Sequence, residues 1–165
     1  MKKHLYFICP TDHLEAVIND VSKSENYYIT SLGNSIVFDK DTIDEISVLI
    51  ARKDIDEITF VLSDTNKIIL DALDHENFTN IRGLNILYDE MKKQKEYKQI
   101  IWGNRDLRTP ILSYHLNQKV YELISKLHHW NLDILKVNAK IYNKQDDIFN
   151  DVFSDLIYEK HFSLN

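Results

Sequence analysis

The chain has 165 residues, a mass of 19.6 kDa and a net charge of −6. That length suits one domain over residues 1–165, and an apolar share of 44% is enough for one core. Three glycines and two prolines are too few to punctuate a many-stranded β-sandwich or barrel. The single cysteine, Cys9, excludes an internal disulfide and any Cys-rich zinc finger. No stretch nears the roughly 18 apolar residues of a membrane span. Met1-Lys2-Lys3-His4 leads into an apolar run too short for a secretory leader. The expected setting is therefore cytoplasmic and reducing. Charge is uneven: residues 1–66 carry six basic and twelve acidic side chains, and residues 67–165 carry fourteen of each. An acidic first half repels phosphate backbones, which argues against a nucleic-acid partner. The locally basic stretch 82–108 reads as a solvated helix with i,i+4 pairs.

His4 to Cys9 is a nearly continuous apolar run, the pattern of a strand buried on both faces. It stops at Pro10. Asp12 and Glu15 have capping-box spacing, and Leu14, Val17, Ile18 and Val21 continue as an amphipathic helix to about Ser24. Tyr27 to Ser31 reads as a second strand, Gly33-Asn34 as a turn and Ile36 to Phe38 as a brief extended piece. Thr42 and Glu45 suggest another capping box, for a helix that buries Ile43, Ile46, Leu49 and Ile50 and ends at Lys53-Asp54. Ile55 to Leu62 is a third strand, Ser63-Asp64-Thr65-Asn66 a polar loop, and Lys67 to Leu73 opens a helix.

Residues 75–115 are expected to be mostly helical, interrupted at Gly83, Gly103 and Pro110. A further amphipathic helix covers Leu116 to His129. His128 and His129 are adjacent on it and point about 100° apart, so they read as solvated histidines near a helix end rather than as ligands of one ion. Trp102 and Trp130 read as core or interface aromatics. Leu135 to Tyr142 alternates as a half-buried strand, and a polar turn at 143–147 leads to an antiparallel partner, Ile148 to Phe153. Residues 154–161 suggest a last helix.

Alternation of strand and helix over the first 73 residues predicts a parallel sheet with covering helices. Ligands in such sheets sit beyond the carboxyl ends of the strands. Those ends are Cys9-Pro10-Thr11, Ser31-Leu32-Gly33-Asn34 and Ser63-Asp64-Thr65-Asn66.

The order of elements, with these loops, resembles the β-class carbonic anhydrases over nearly the whole chain, more in pattern than in identity. In that family the first strand ends in Cys-x-Asp-x-Arg, the second in Arg-Asn-Ala-Gly-Asn and the third in Gly-His-x-x-Cys-Gly. Here the corresponding segments read Cys9-Pro10-Thr11-Asp12-His13, Thr30-Ser31-Leu32-Gly33-Asn34 and Leu62-Ser63-Asp64-Thr65-Asn66-Lys67, with a late strand ending Ile141-Tyr142-Asn143. The resemblance implies an α/β fold: a central parallel sheet flanked by helices, with a C-terminal antiparallel edge hairpin. It also implies a homodimer, to which the hairpin at 134–153 would contribute.

The family enzyme holds zinc with two Cys and one His and uses a zinc-bound hydroxide to attack carbon dioxide. Cys9 matches the first ligand, but Ser63 stands at the His position and Asn66 at the second Cys. Thr11 and His13 stand at the Asp and Arg of the neighbouring pair. Neutral Ser and Asn offer neither thiolate nor imidazole. With one Cys in the chain, no realignment restores a Cys2His site. The expectation is a protein without zinc or other cofactor, its pocket formed by Cys9, Thr11, Asp12, His13, Gly33, Asn34, Ser63 and Asn66. It would serve as a small-ligand-binding or protein-interaction module. The alternative is a rebuilt metal-dependent hydratase or hydrolase using Cys9, His13 and either Asp12 or Asp64. Cys9 before a helix start also suits a nucleophile with His13 as its base, though no second Cys exists for a dithiol cycle. A Ser63-Asp64-His13 triad lacks the glycines of a nucleophile elbow.

Overall fold

A computed structural model describes residues 1–103, 106–127 and 135–153. Its strands are β1 (Lys3–Ile8), β2 (Glu25–Thr30), β3 (Glu57–Ser63), β4 (Lys136–Asn143) and β5 (Ile148–Asp151). They form one sheet in the order β2-β1-β3-β4-β5, in which β1 pairs in parallel with β2 and β3, β3 with β4, and β5 closes one edge antiparallel to β4. The helices are α1 (Glu15–Val21), α2 (Lys40–Lys53), α3 (Lys67–Asp74), α4 (Asn85–Trp102) and α5 (Arg108–Leu127). The α/β architecture with a parallel centre and an antiparallel edge hairpin is the one expected from the sequence.

The period of two along β1 sorts its side chains between two cores. Leu5, Phe7 and Cys9 join the larger one, shared with Ile43, Ile46 and Ile50 of α2 and with buried residues of α3, α4 and α5. Phe7 stacks on Phe60 at 4.5 Å between ring centres, and Phe38 meets both edge-on. Tyr6 and Ile8 face the other way, against Leu14 just before α1, Ile18 of α1, and Val61 and Tyr142 of the sheet. β1 is thus buried on both faces, as its apolar run required.

Several boundaries differ from expectation, each for a local reason. α2 is capped by Asp39, whose carboxylate accepts the Thr42 N–H at 2.9 Å, so the helix starts at Lys40 and no Thr42 cap forms. Ile36 to Phe38 joins no strand; Phe38 instead plugs the core beside Phe7 and Phe60. α1 ends at Val21 rather than Ser24. Pro110 does not interrupt α5, because it lies in the first turn, where a missing N–H costs nothing. The helix expected from Leu116 therefore begins at Arg108. Residues 128–134 and 154–165, with His128, His129, Trp130 and the expected last helix, lie outside the described residues, as does the side chain of Trp102.

The turn between α3 and α4 is organised by one buried acid. Asp71 accepts N–H bonds from Asn77 and Phe78, both at 3.1 Å, and the Tyr88 hydroxyl at 2.5 Å. Burial opposes its ionisation, but these donors hold its carboxyl below the ordinary range. Asp71→Ala leaves the buried Tyr88 hydroxyl and two part-buried backbone N–H groups without their acceptor. It is expected to lower stability by about 2–3 kcal/mol, read as a lower urea midpoint at unchanged m. Asp71→Asn, which keeps an acceptor oxygen, is expected to lose less.

Candidate functional site

The carboxyl ends of β1, β2 and β3 supply three loops that meet under one edge of the sheet. After β1 the chain turns at Pro10 into a single 3-10 turn, Pro10–Asp12, with the Asp12 N–H on the Cys9 carbonyl. Cys9 points into the core and is fully buried. Its Sγ accepts the Gly33 N–H at 3.1 Å and shares a hydrogen bond of 3.1 Å with Thr11 Oγ1. The first and second loops are therefore joined through the thiol.

Gly33 is the residue that makes this approach possible. Its φ is +60°, and an added Cβ would stand 2.9 Å from Leu87 and 3.1 Å from Ile68. Asn34 follows, fully buried, and its amide Nδ2 donates to the carbonyls of Phe7 at 3.3 Å and Val61 at 3.1 Å, bridging β1 and β3. Gly33 O in turn accepts from His115 Nε2 of α5 at 2.7 Å. A carbonyl can only accept, so Nε2 carries the proton there.

The third loop is joined to the first by Asp12, and here the structure corrects the sequence reading. Asp12 does not cap α1, which starts at Glu15 with no side-chain cap. His13, in the left-handed region with φ of 52°, separates the two. The Asp12 carboxylate turns inward instead. Oδ2 accepts the Ser63 N–H at 2.8 Å, and Oδ1 accepts the Asn66 Nδ2 at 2.9 Å. Asn66 spends its other amide atom as the N-cap of α3, accepting the Ile69 N–H at 3.0 Å. Ser63 Oγ pairs with Thr65, through the hydroxyl at 3.1 Å and the backbone N–H at 3.2 Å. Burial pushes the Asp12 carboxyl above its ordinary range, against the lowering effect of its Ser63 and Asn66 bonds.

The structure thus brings Cys9, Thr11, Gly33 and Asn34 into one hydrogen-bonded set and Asp12, Ser63 and Asn66 into another, in contact through the first loop. His13 stays out of both, with its side chain exposed. The residues present do not fit the zinc that the fold implies. At the positions that the sequence resemblance aligns with the family's three ligands stand one thiol already held by Gly33 and Thr11, a neutral hydroxyl, and an amide whose two polar atoms are both engaged. Among the described residues no three of His, Cys, Asp and Glu gather as a metal group, so Cys9, His13 and an Asp are not assembled into a rebuilt site. Ser63 Oγ is likewise paired with Thr65 rather than with His13.

Above Asp12 lies a cleft of about 330 Å³, lined by Thr11, Asp12, His13, Ser63, Thr65 and Lys67 and closed on one side by Tyr142 and Lys144. Sequence reasoning missed Lys144, Tyr142 and His115. The parallel register places Ser63 opposite Tyr142, so the turn after β4 had to come up beside the Ser63 loop. His115 carried a usable signal, since it sits three residues after Leu112 and one before Leu116 on the buried stripe of α5.

Strand order, the antiparallel edge and the three loops define a fold class, that of the β-carbonic anhydrases. Solved structures make the likeness concrete. The β-carbonic anhydrase CafD of Aspergillus fumigatus superposes with a TM-score of 0.73 at 13% identity, over 93% of this chain and 90% of that one. A tetrameric β-carbonic anhydrase of Sordaria macrospora gives 0.73 at 12% identity, over 93% and 81%. The Coccomyxa β-carbonic anhydrase, solved with acetazolamide, gives 0.69 at 11% identity, over 98% and 83%. No protein-family model and no curated protein sequence matches the chain. The likeness is one of fold.

His115 supplies a pH test of the loop arrangement. Burial lowers its pKa to about 4, against a raising effect of the Gly33 carbonyl and with Lys119 adding to the fall. The unfolded chain takes this proton near the ordinary value of about 6.5, the folded chain only near 4. Between those values the unfolded state binds more protons, so this histidine's contribution to stability falls as pH drops through the window. The full contribution amounts to roughly 3 kcal/mol. Urea titrations at a series of pH values are expected to show a shallower fall in His115→Gln than in the parent chain, because a glutamine amide keeps a donor for Gly33 and takes no proton.

Proposed function

We propose that this chain is a non-catalytic relative of the β-carbonic anhydrases that has lost zinc binding and carbon dioxide hydration and is retained as a small-ligand-binding protein. The observation that carries the reading is the Asp12 carboxylate on the Ser63 N–H and the Asn66 amide. Two of the positions where the family places metal ligands are thereby tied to a side chain of the first loop. The Cys9 thiol, the one matching ligand, is spent on Gly33 and Thr11. Loops and cleft remain, while the donor set for the metal does not.

A homodimer in the cytoplasm belongs to the same reading. Among the described residues β5 has no partner strand on its outer edge, with Ile148 and Phe153 half exposed near it, and an unpaired edge favours cover by a second chain. No helix among the described residues is long and apolar enough to cross a membrane.

The test is metal content together with carbon dioxide hydration. Protein equilibrated with zinc and then desalted is expected to retain only a trace, and stopped-flow hydration is expected to run at the uncatalysed rate. Cys9→Ser is expected to change neither readout. Stoichiometric zinc, lost in Cys9→Ser, with hydration above background would overturn the proposal in favour of a metal site built on Cys9.

A further inference from the structure

We infer that residues 154–165 dock on the outer surface of the α4–α5 pair, with their apolar side chains against Tyr97, Ile101, Tyr114 and Tyr121. The inference is independent of what the cleft above Asp12 holds. It begins with the way the chain leaves β5. Val152 packs against the larger core, and both backbone groups of Phe153 are tied to α5. The Phe153 N–H donates to the buried Ser113 Oγ at 3.1 Å, and its carbonyl accepts from Asn117 Nδ2 at 2.6 Å. Ser113 and Asn117 stand one helical turn apart. The chain is therefore pinned along α5 at the point where the twelve residues 154–165 begin.

Apolar surface lies beside that anchor. Tyr114 and Tyr121 stand three residues before Asn117 and four after it, the spacing of neighbours on one helix face. The Lys98 ammonium of α4 is 5.7 Å from the centre of the Tyr114 ring, which brings the second half of α4 alongside. On these two helices Tyr97 is 46% exposed, Ile101 40% and Tyr121 54%. The sequence that follows the anchor supplies the matching occupant. Leu156, Ile157, Tyr158, Phe162 and Leu164 are five of its twelve residues. Segments that stay solvated are poor in such side chains, because apolar surface left in water is unfavourable. Charge agrees with this docking. Residues 91–101 of α4 carry four lysines and one glutamate, whereas residues 154–165 carry Asp155 and Glu159 against Lys160. Reach is ample, since an extended run of this length spans up to about 40 Å and the 18 residues of α4 about 27 Å.

A nitroxide on Ser163→Cys in the full chain tests the docking by amide NMR. Cys9 is fully buried, so the label marks the segment alone. Paramagnetic broadening is expected at Tyr97, Ile101, Tyr114 and Tyr121 and not at β2 or α1, which lie at the far edge and on the opposite face of the sheet. The double variant Leu156→Asp, Ile157→Asp is expected to lower the docked-to-undocked ratio roughly a hundredfold, the loss of two buried aliphatic side chains, and so to remove the broadening while the sheet amides keep their shifts. Val48→Asp, at an exposed position of α2, is expected to leave it unchanged. A second sample mixes isotope-labelled chain without nitroxide and spin-labelled chain without isotope, and no broadening is expected there. Broadening in the mixed sample would make a second copy the donor of the segment and overturn the inference. So would broadening centred on another surface, broadening no greater than free nitroxide produces, or full broadening retained in the double variant.

Discussion

The carboxylate of Asp12 joins loops that lie 51 and 54 residues apart in the chain, by one bond to a backbone N–H and one to a side-chain amide. Hydrogen bonds to a charged acceptor are worth about 1.5–3 kcal/mol each, but burial of the acid outweighs their effect on its ionisation, which is why its carboxyl sits above the ordinary range. What the two bonds supply is the geometry of the sheet edge. Asn66 is held in place to cap α3, Ser63 is held to close the turn with Thr65, and the cleft above them takes its shape from both.

Around that acid the loops close with ordinary protein groups. Cys9 ties the first loop to the second through the Gly33 N–H, Asn34 bridges β1 and β3, and His115 anchors Gly33 from the α5 side as a neutral donor. Each link depends on burial: a half-exposed His115 would titrate near neutrality, and a solvated Asn34 would exchange its carbonyl partners for water. A metal joins such loops through one ion with a few strong bonds. This chain joins them through several weaker bonds among its own side chains and backbone.

Local physics made much of this legible from sequence. The apolar run from His4 and the β-branched run from Ile58 gave their strands away, and the parallel alternation followed from the helices between them. The gathering of Cys9, Gly33, Asn34, Ser63 and Asn66 at one edge followed from where those strands end. What stayed hidden depended on partners remote in sequence. Asp12 and Glu15 have the spacing of a helix cap, and only the folded chain shows that Ser63 and Asn66 compete for the same carboxylate and win it. Asp39 was a local signal overlooked in favour of Thr42 three residues on. Lys144 sat in a turn identified simply as polar, and its place beside Ser63 required the register of β3 against β4.

The most direct measurement is a crystal structure of the zinc-soaked protein with data collected across the zinc absorption edge. The account expects no anomalous density between Cys9, Ser63 and Asn66, with the Asp12 carboxylate on the Ser63 N–H and the Asn66 amide. An anomalous peak at that position, with Asp12 or Asn66 turned away from its partner and toward the ion, would contradict it.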